Sequence, residues 1–344
     1  MECVLRFVIV LLAYATSCGA SHARSCLAGS EVFVCVLQRF DYQPGQDIPL
    51  FDLPVDVKAI RFVEPLFNIH ENENIIYVYD GILHRQLNSP LAIELTNSYM
   101  TTVYVPPNLE YADFSENSIT SLIVPADQSY ALRFLDLNNN HNLQVKNISL
   151  LVNLETLHLS SCTLEHLPLD MFENLNRLAH LTLAGNSLLE IDLNWFPMSL
   201  TLLRLDQNWM TDFHFSGSAR LPLLEDLNIE YNALNALDIK ALAEVAPKLR
   251  LFSIGRNPLT RTELDGILDE LNRRNIAYYN MEQMSDQYCS EGERYFRGAC
   301  MPESVFALST GEWVEMIIFI IGLVALAIGI ALTARFLWNR YHVN

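Results

Sequence analysis

The sequence predicts an α/β fold: a curved solenoid of stacked coils, each contributing a short strand to a parallel β-sheet on the concave face, followed by one C-terminal transmembrane helix. Three observations predict it. A pattern of leucines recurs every 22 to 25 residues, an asparagine recurs at one slot of that pattern, and a charge-free apolar stretch follows the repeats. Recurrence of this kind favours an elongated array over two or three compact domains.

Residues 1–20 are typical of a signal peptide. Arg6 precedes an apolar run over residues 7–15, and small residues follow up to Ala20. Signal peptidase could cut after Ala20 or Ala23, and an uncleaved N-terminal anchor is the alternative. Export would place the remaining cysteines in an oxidising compartment, where they can form disulfide bonds.

Residues 21–56 are expected to form an N-terminal cap. An array must cover its first coil, because an exposed ladder of leucines would aggregate. Cys26 and Cys35 enclose eight residues and predict a hairpin, stapled by a disulfide bond, that covers this coil.

Residues 57–273 carry about nine repeat units with the pattern L-x-x-L-x-L-x-x-N-x-L. Alternate residues of a strand point to one side, so leucines such as Leu157 and Leu159 are expected to share a core with neighbouring coils. Two weaker units, at Val57 and near Pro90, precede seven in clear register. The seven begin at Leu109, Leu132, Leu154, Leu178, Leu200, Leu224 and Leu249.

Most units place an asparagine where the chain turns after the strand. Its amide can satisfy backbone groups buried between coils, because it carries both donors and an acceptor. Cys162 takes this slot in its own unit, where a small buried thiol is expected rather than a reactive one, and it is the candidate for the unpaired cysteine. The asparagines are Asn117, Asn140, Asn186, Asn208, Asn232 and Asn257.

A helix is expected to seal the last coil. Thr262 can cap its N-terminus, and four apolar residues at i, i+3, i+4 and i+7 would lie on one face. These are Leu264, Ile267, Leu268 and Leu271. Residues 274–312 would follow as a cysteine cap and stalk, in which Cys289 and Cys300 predict a second local disulfide bond. Four cysteines allow three connectivities, and the sequence does not choose between them.

Residues 313–334 predict the transmembrane helix. The stretch 316–334 has no charged residue, and nineteen residues span a hydrocarbon layer of about 30 Å. Basic residues in the tail, 335–344, indicate type I topology, with a cytoplasmic tail and the repeats outside the plasma membrane. A removed lipid-anchor signal is the alternative. The small residues Ala325 and Gly329 would allow a homo- or hetero-dimer.

The candidate ligand-binding surface is the concave sheet. Strands in register align solvent-facing side chains in columns, and aromatic or apolar anchors beside charged groups are typical of protein-binding sites. The first column is predicted to run Tyr111, Phe134, Thr156, His180, Leu202, Asp226 and Leu251, and the second Asp113, Asp136, His158, Thr182, Arg204, Asn228 and Ser253. The third holds Glu116, Asn139, Ser161, Gly185, Gln207, Tyr231 and Arg256.

The residues expected to bind a ligand are chosen from these columns. They combine aromatic and apolar anchors, here predicted to be exposed, with charged side chains that can set orientation. They are Tyr111, Asp113, Phe134, Asp136, His158, His180, Leu202, Arg204 and Tyr231.

No enzyme, cofactor or metal site is predicted. The chain lacks the spaced motifs of hydrolases, zinc proteases and nucleotide-binding enzymes. His158 and His180 could lie on adjacent strands, but two histidines without a third ligand do not make a metal site. A net charge of −18 would repel nucleic acid. Asn147 begins the one glycosylation sequon, expected on the convex or lateral side.

The repeats resemble the typical class of extracellular leucine-rich repeats. The segment 164–175 matches the L-x-x-L-P-x-x-x-F-x-x-L portion of that class. The sparse flanking cysteines, and a last helix ending in LNRRNI, resemble insect extracellular repeat proteins, in particular the mosquito leucine-rich-repeat immune family and its membrane-spanning members. This resemblance implies innate immune recognition; the coiled-coil pairing of that family's secreted members has no matching heptads here.

The predicted function is binding of an extracellular protein ligand or co-receptor at the cell surface, with innate immune recognition as the first hypothesis. Cell adhesion or a developmental co-receptor role is the alternative, and a structural matrix protein is a further one. Expression induced by infection would favour the first hypothesis, and clustering of transfected cells would favour the second.

Overall fold

The computed structural model describes residues 23–27, 33–63, 75–215, 218–278, 289, 291–296, 299–303, 314, 317–324, 326 and 329. Within them, eleven short parallel strands form one sheet, in which neighbours follow chain order, so the predicted solenoid is confirmed. The strands of this main sheet are β2 (Val34–Leu37), β4 (Ala59–Phe62), β6 (Ala92–Glu94), β8 (Tyr111–Asp113), β10 (Phe134–Asp136), β11 (Thr156–His158), β12 (His180–Thr182), β14 (Leu202–Arg204), β16 (Asp226–Asn228), β17 (Leu251–Ser253) and β18 (Ala277–Tyr278).

The main sheet forms because one side of every strand is apolar. The middle residue of each three-residue strand, such as Leu135, Leu157 or Leu181, is fully buried, while the residues on either side of it face the concave surface. Burying one such leucine contributes roughly 1.5–3 kcal/mol. The nine predicted repeat units supply β4 through β17, so the leucine spacing fixes which side chains share a core.

The predicted asparagine ladder joins consecutive coils. All six asparagines are buried. The Asn186 side-chain oxygen accepts hydrogen bonds from the amides of Cys162, at 2.9 Å, and Leu164, at 3.0 Å. Its amide nitrogen donates to the carbonyls of Leu159, at 2.8 Å, and Leu183, at 2.9 Å. Each asparagine thus satisfies backbone groups that the turn leaves without strand partners.

Cys162 replaces the asparagine in one coil and is a free, buried cysteine, as predicted. Its Sγ donates to the Leu137 carbonyl at 3.2 Å, but a thiol supplies no strong acceptor for the preceding coil. Thr163 compensates, because its hydroxyl accepts a hydrogen bond from the Asn142 amide at 3.0 Å. Burial raises the pKa of the thiol to about 11, so the role of Cys162 is packing rather than reactivity.

The N-terminal cap contains the predicted Cys26–Cys35 disulfide bond. The two arms also meet through the Leu27 amide, which donates to the Val36 carbonyl at 2.9 Å. Two features were not predicted. The strand β2 is itself the first strand of the main sheet, parallel to β4, and β1 (Arg24–Ser25) pairs in parallel with β3 (Phe51–Asp52). The cap therefore extends the solenoid as well as covering it.

Short elements line the other sides of the coils. The strands β5 (Val78–Tyr79), β7 (Thr102–Tyr104) and β9 (Ser121–Ile123) form a second parallel sheet, and β13 (Glu190–Asp192) pairs with β15 (Asp212–His214). Two 3₁₀ turns, η1 (Ile148–Leu150) and η2 (Leu193–Trp195), and the helices α1 (Gly81–Gln86) and α2 (Ile239–Val245) complete these coils.

Helix α3 (Arg261–Arg273) seals the last coil and buries Leu264, Ile267, Leu268 and Leu271, as predicted. The predicted cap residue, Thr262, was wrong. Thr260 caps the helix instead, because its hydroxyl accepts from the Glu263 amide while the Glu263 carboxylate accepts from the Thr260 amide. This reciprocal capping box is a Thr-x-x-Glu pattern that begins two residues earlier.

Beyond the last coil, β19 (Glu293–Phe296) and β20 (Ala299–Pro302) form an antiparallel hairpin. Cys289 is disulfide-bonded, whereas the side chain of Cys300, its predicted partner, lies outside the described part of the chain. The predicted signal peptide also lies outside it. In the predicted membrane span, residues 317–324 are helical, and no described helix is both long enough and apolar enough to cross a bilayer.

Candidate functional site

The predicted columns of the concave face are present in the main sheet. Strand register places Tyr111 beside Phe134, Phe134 beside Thr156, and so on to Leu251 along the first column. The same register aligns Asp113 to Ser253 along the second column. Eight of the nine predicted ligand-binding residues, all except Tyr231, are therefore aligned on one sheet although they lie far apart in the sequence.

An aromatic stack occupies the N-terminal half of this surface. The rings of Tyr111 and Phe134 are 4.3 Å apart between centroids and inclined by only 6°. The His158 ring contacts the Phe134 ring at 5.4 Å. Because the rings cover each other, Tyr111 and Phe134 are half-buried rather than fully exposed anchors, and Leu202 and Leu251 are half-buried as well.

Two carboxylates flank the aromatic stack in the second column. Asp113 Oδ1 accepts from the amide of Ser115, at 3.0 Å, and from its hydroxyl, at 2.7 Å. Asp136 Oδ1 accepts from the Asn138 amide at 2.8 Å, and its Oδ2 lies 3.2 Å from His158 Nδ1. Each carboxylate thus both shapes its turn and presents charge to the concave face.

The local field at the stack is negative. Burial is the main reason why the pKa of Asp113 is raised, and the charges of Asp136 and Glu94 add to it. The pKa of the Tyr111 hydroxyl is also raised, first by burial and then by Asp113 and Glu94. Burial and the neighbouring carboxylates both disfavour further negative charge at this surface, which is therefore suited to a cationic partner.

The two predicted histidines do not converge on a site. His158 belongs to the second column and faces Asp136, while His180 belongs to the first column and lies 3.5 Å from the Thr156 hydroxyl. Among the described residues, no group of three histidine, cysteine or acidic side chains could hold a metal ion.

The C-terminal half of the surface carries Arg204, a predicted ligand-binding residue, and two acidic residues, Asp206 and Glu230, that the sequence did not single out. Arg204 lies 3.3 Å from Asp226. Burial raises the pKa of both Asp206 and Glu230, which lie on neighbouring coils, and Asp206 adds to the shift at Glu230. Within the described residues, Asp226 Oδ1 is one of three buried side-chain oxygens without a hydrogen-bond partner.

The third column marks the edge where the strands turn. Its seven residues have φ between 51° and 66°, and six of them are not glycine. Tyr231, which is 40% exposed, lies under the Arg256 guanidinium at 4.2 Å. Arg256 also pairs with Glu293 of the β19–β20 hairpin at 2.6 Å. Sequence reasoning predicted Tyr231 but missed this contact, because Glu293 lies outside the repeats.

Asn147 lies away from the concave columns. Its Nδ2 donates to the carbonyl of Leu122, in the lateral strand β9, at 2.9 Å. A glycan on this nitrogen would leave one N–H for that bond and would leave the concave face open. Glycosylation of Asn147 stays a prediction.

Comparison with known proteins identifies the repeat. Residues 153–175 match the family model described as Leucine Rich Repeat. Toll-like receptor 9 of Canis lupus familiaris is 34% identical over 154 residues, which are 44% of this chain and 13% of that receptor. The chain therefore spans about an eighth of the relative that it matches. Together with the solenoid, the matches show that the chain contains leucine-rich repeats.

Two solved structures are among those similar to this chain. The crystal structure of the TLR13–ssRNA13 complex is 20% identical, with 61% of this chain and 29% of that chain covered and a TM-score of 0.49. The leucine-rich repeat domain of APL1B is 16% identical, with 72% of this chain and 73% of that chain covered and a TM-score of 0.49. Similarity at this level says nothing about what this chain binds.

Proposed function

We propose that this chain is a non-enzymatic cell-surface receptor or co-receptor that binds an extracellular protein ligand on its concave face. One observation carries the proposal: the stacked Tyr111–Phe134 pair lies on the concave sheet beside the carboxylates of Asp113 and Asp136. Rigid aromatic side chains flanked by charge are typical anchors of protein interfaces. The similarity to a Toll-like receptor supports a receptor-like role.

The chemistry of the face favours a protein over a nucleic acid. Asp113, Asp136, Asp206 and Glu230 all lie on or beside the concave columns, and the chain as a whole has a net charge of −18. Phosphate groups would be repelled from such a surface, whereas basic and aromatic side chains of a protein would be attracted.

The proposed cellular setting is the outer side of the plasma membrane, with the predicted membrane span C-terminal to the repeats. Within that setting, innate immune recognition is proposed from the resemblance of the repeats and last helix to the insect immune family. Induction of the protein by infection would support this role, and clustering of cells that express it would contradict it in favour of adhesion.

The binding proposal is tested by crosslinking on intact cells that express the tagged full-length chain. We expect one partner to be captured by the wild type and lost in the double variant Tyr111→Ala, Phe134→Ala. The matched control is Val152→Ala, Leu169→Ala, which removes two exposed apolar side chains outside the concave columns. Surface expression and urea unfolding of each variant verify folding.

Capture that is equal in all three proteins would show that the aromatic stack is not the binding surface. Loss in both double variants, with folding intact, would place the partner elsewhere or show that it contacts the whole array, and the proposal would then be wrong as stated.

A further inference from the structure

Among the described residues, Phe134 is the one ring that stacks on Tyr111, so one face of the Tyr111 ring has no stacking partner there. Phe134 covers the other face, with the planes inclined by 6° and the centroids 4.3 Å apart. Neighbouring strands of a sheet are about 4.8 Å apart, so the two rings stand upright on adjacent strands with their faces directed along the column. The uncovered face of Tyr111 is therefore directed toward β6.

The column continues from Tyr111 with small side chains. Its next members are Ala92 on β6, Ala59 on β4 and Val34 on β2. Two successive alanines leave a notch between Tyr111 and Val34, whose strands are three spacings apart, about 14 Å. The alanine methyl groups form the floor of this notch, and the open face of Tyr111 forms one wall.

The second column supplies a charged side to the notch. Arg61 forms two hydrogen bonds to the Glu94 carboxylate, so these two charges balance each other. Asp113, the next residue along the column, uses only its Oδ1, which binds the amide and hydroxyl of Ser115. In the part of the chain that the structure describes, Asp113 Oδ2 accepts no hydrogen bond.

We infer that this notch receives an arginine side chain of the protein ligand, with its guanidinium stacked on Tyr111 and donating to Asp113 Oδ2. The inference rests on the proposed function and names the chemistry that the concave face selects. A guanidinium is planar, permanently charged and able to stack and donate at once, whereas the compact lysine ammonium cannot cover a ring face. The raised pKa of Asp113 supports a site that gains from an added cation.

The same arrangement already exists within the chain. At the other end of the concave face, the Arg256 guanidinium covers the Tyr231 ring at 4.2 Å and pairs with the Glu293 carboxylate at 2.6 Å. There the arginine, the aromatic ring and the carboxylate all come from this protein. At Tyr111 the ring and the carboxylate are present, and the arginine is the component that a ligand would bring.

The test is a titration of the full-length chain, labelled with ¹³C at alanine methyl groups, with three tripeptides. The probes are acetyl-Gly-X-Gly-amide, in which X is arginine, lysine or citrulline. We expect the methyl resonances of Ala59 and Ala92 to shift saturably with the arginine peptide. Binding should weaken at least threefold with lysine, and at least tenfold with citrulline, which has the shape of arginine but no charge.

The methyl resonance of Ala277 is the internal control, because Ala277 lies at the opposite end of the same column. Three substitutions locate the site. Asp113→Asn should weaken arginine binding at least fivefold and can keep the bonds to Ser115. Ala92→Leu should block stacking without changing any charge, as read from Ala59. Glu190→Gln removes an exposed carboxylate of β13, which lies outside the main sheet, and should leave binding unchanged.

Several outcomes would overturn the inference: equal weakening by Asp113→Asn and Glu190→Gln, equal binding of arginine and citrulline, or binding that survives Ala92→Leu. If the crosslinking experiment shows that partner capture needs Tyr111 and Phe134, while the titration shows no binding of the arginine peptide, the result would support the proposed function and reject only the inferred arginine site. Failure of both experiments would reject both.

Discussion

At the scale of single residues, Asn186 shows how one side chain joins two coils. It forms five hydrogen bonds to backbone groups of its own and the preceding coil, and it is 4% exposed. Asn186→Ala would leave buried amides and carbonyls without partners, each at a cost of about 1–3 kcal/mol. We therefore predict a loss of roughly 2–4 kcal/mol in the free energy of unfolding, measured with urea.

The matched control is Asn176→Ala. Asn176 is exposed, and within the described part of the chain its side chain makes one long hydrogen bond, of 3.5 Å, to the Asn174 carbonyl. Its free energy of unfolding should change by no more than about 0.5 kcal/mol. If the Asn186 variant is as stable as the Asn176 variant, water must satisfy the backbone groups that Asn186 binds, with no loss of stability.

The residue scale also shows where sequence reasoning succeeds. The asparagine slot and the columns were predictable, because a constant repeat spacing fixes which residues become neighbours across strands. The face-to-face stacking of Tyr111 and Phe134 was not predictable, since it depends on the side-chain rotamers. The hydrogen bond by which Thr163 compensates for the missing asparagine at Cys162 was not predictable either. It requires the left-handed backbone at Asn142, where φ is 64°.

At the scale of elements, α1 and its neighbours enclose a buried histidine. His84 is 3% exposed, its Nδ1 lies 2.7 Å from the Tyr79 hydroxyl, and its Nε2 lies 2.8 Å from Asn108 Oδ1. Because an amide oxygen only accepts, Nε2 carries the hydrogen and Nδ1 accepts from Tyr79. The network therefore requires a neutral imidazole.

We predict that this network destabilises the fold at acid pH. Burial lowers the pKa of His84 below its unfolded value of 6.5, outweighing the Asn108 hydrogen bond, and Arg85 lowers it further. The unfolded chain then binds more protons than the folded one, so the contribution to stability is complete above pH 6.5 and is lost as pH falls from there through the folded pKa. Urea midpoints at pH 7.5 and pH 5.0 measure the effect.

In this experiment, the urea midpoint of His84→Gln should fall less between pH 7.5 and pH 5.0 than that of the wild type. At pH 7.5 the variant should be less stable than the wild type. His166→Gln replaces an exposed histidine and should keep the wild-type dependence. If the urea midpoint falls equally with pH in both variants and the wild type, another group is responsible for the loss of stability in acid.

Element boundaries were predicted less well than element types. The apolar face of α3 follows from the spacing of four residues, but its start depends on which threonine pairs with an acid three positions later. Both threonines have an acid at that distance, Glu263 for Thr260 and Asp265 for Thr262. The helix begins at the earlier pair, so Thr262 lies within its first turn. The lateral strands β5, β7 and β9 have no consensus of their own, so the leucine pattern did not reveal them.

At the scale of the whole molecule, Arg256 connects the repeat array to the segment that follows it. The Arg256 and Glu293 side chains are only 19% and 14% exposed, so their ion pair is poorly screened by solvent. We predict that Glu293→Gln loosens the β19–β20 hairpin and speeds amide hydrogen exchange in β19 by about tenfold, as expected from a loss of about 1.5 kcal/mol. Exchange in β11 and β12 should not change.

The control for this prediction is Glu291→Gln, an exposed acid two residues earlier in the chain. It should leave exchange in β19 unchanged. Equal exchange rates in both variants would show that other contacts hold the hairpin against the last coil.

The parallel pairing of the main sheet also has a mechanical consequence. Within the described residues, each inner strand of the main sheet pairs only with the strand before and the strand after it, as β11 pairs with β10 and β12. Pulling on the two ends would therefore strip coils one at a time from a free end. Each step would release one repeat of 22 to 25 residues, or about 75–90 Å of extended chain. Such an array would unfold in steps under load, and its coils would refold one after another when the load is removed.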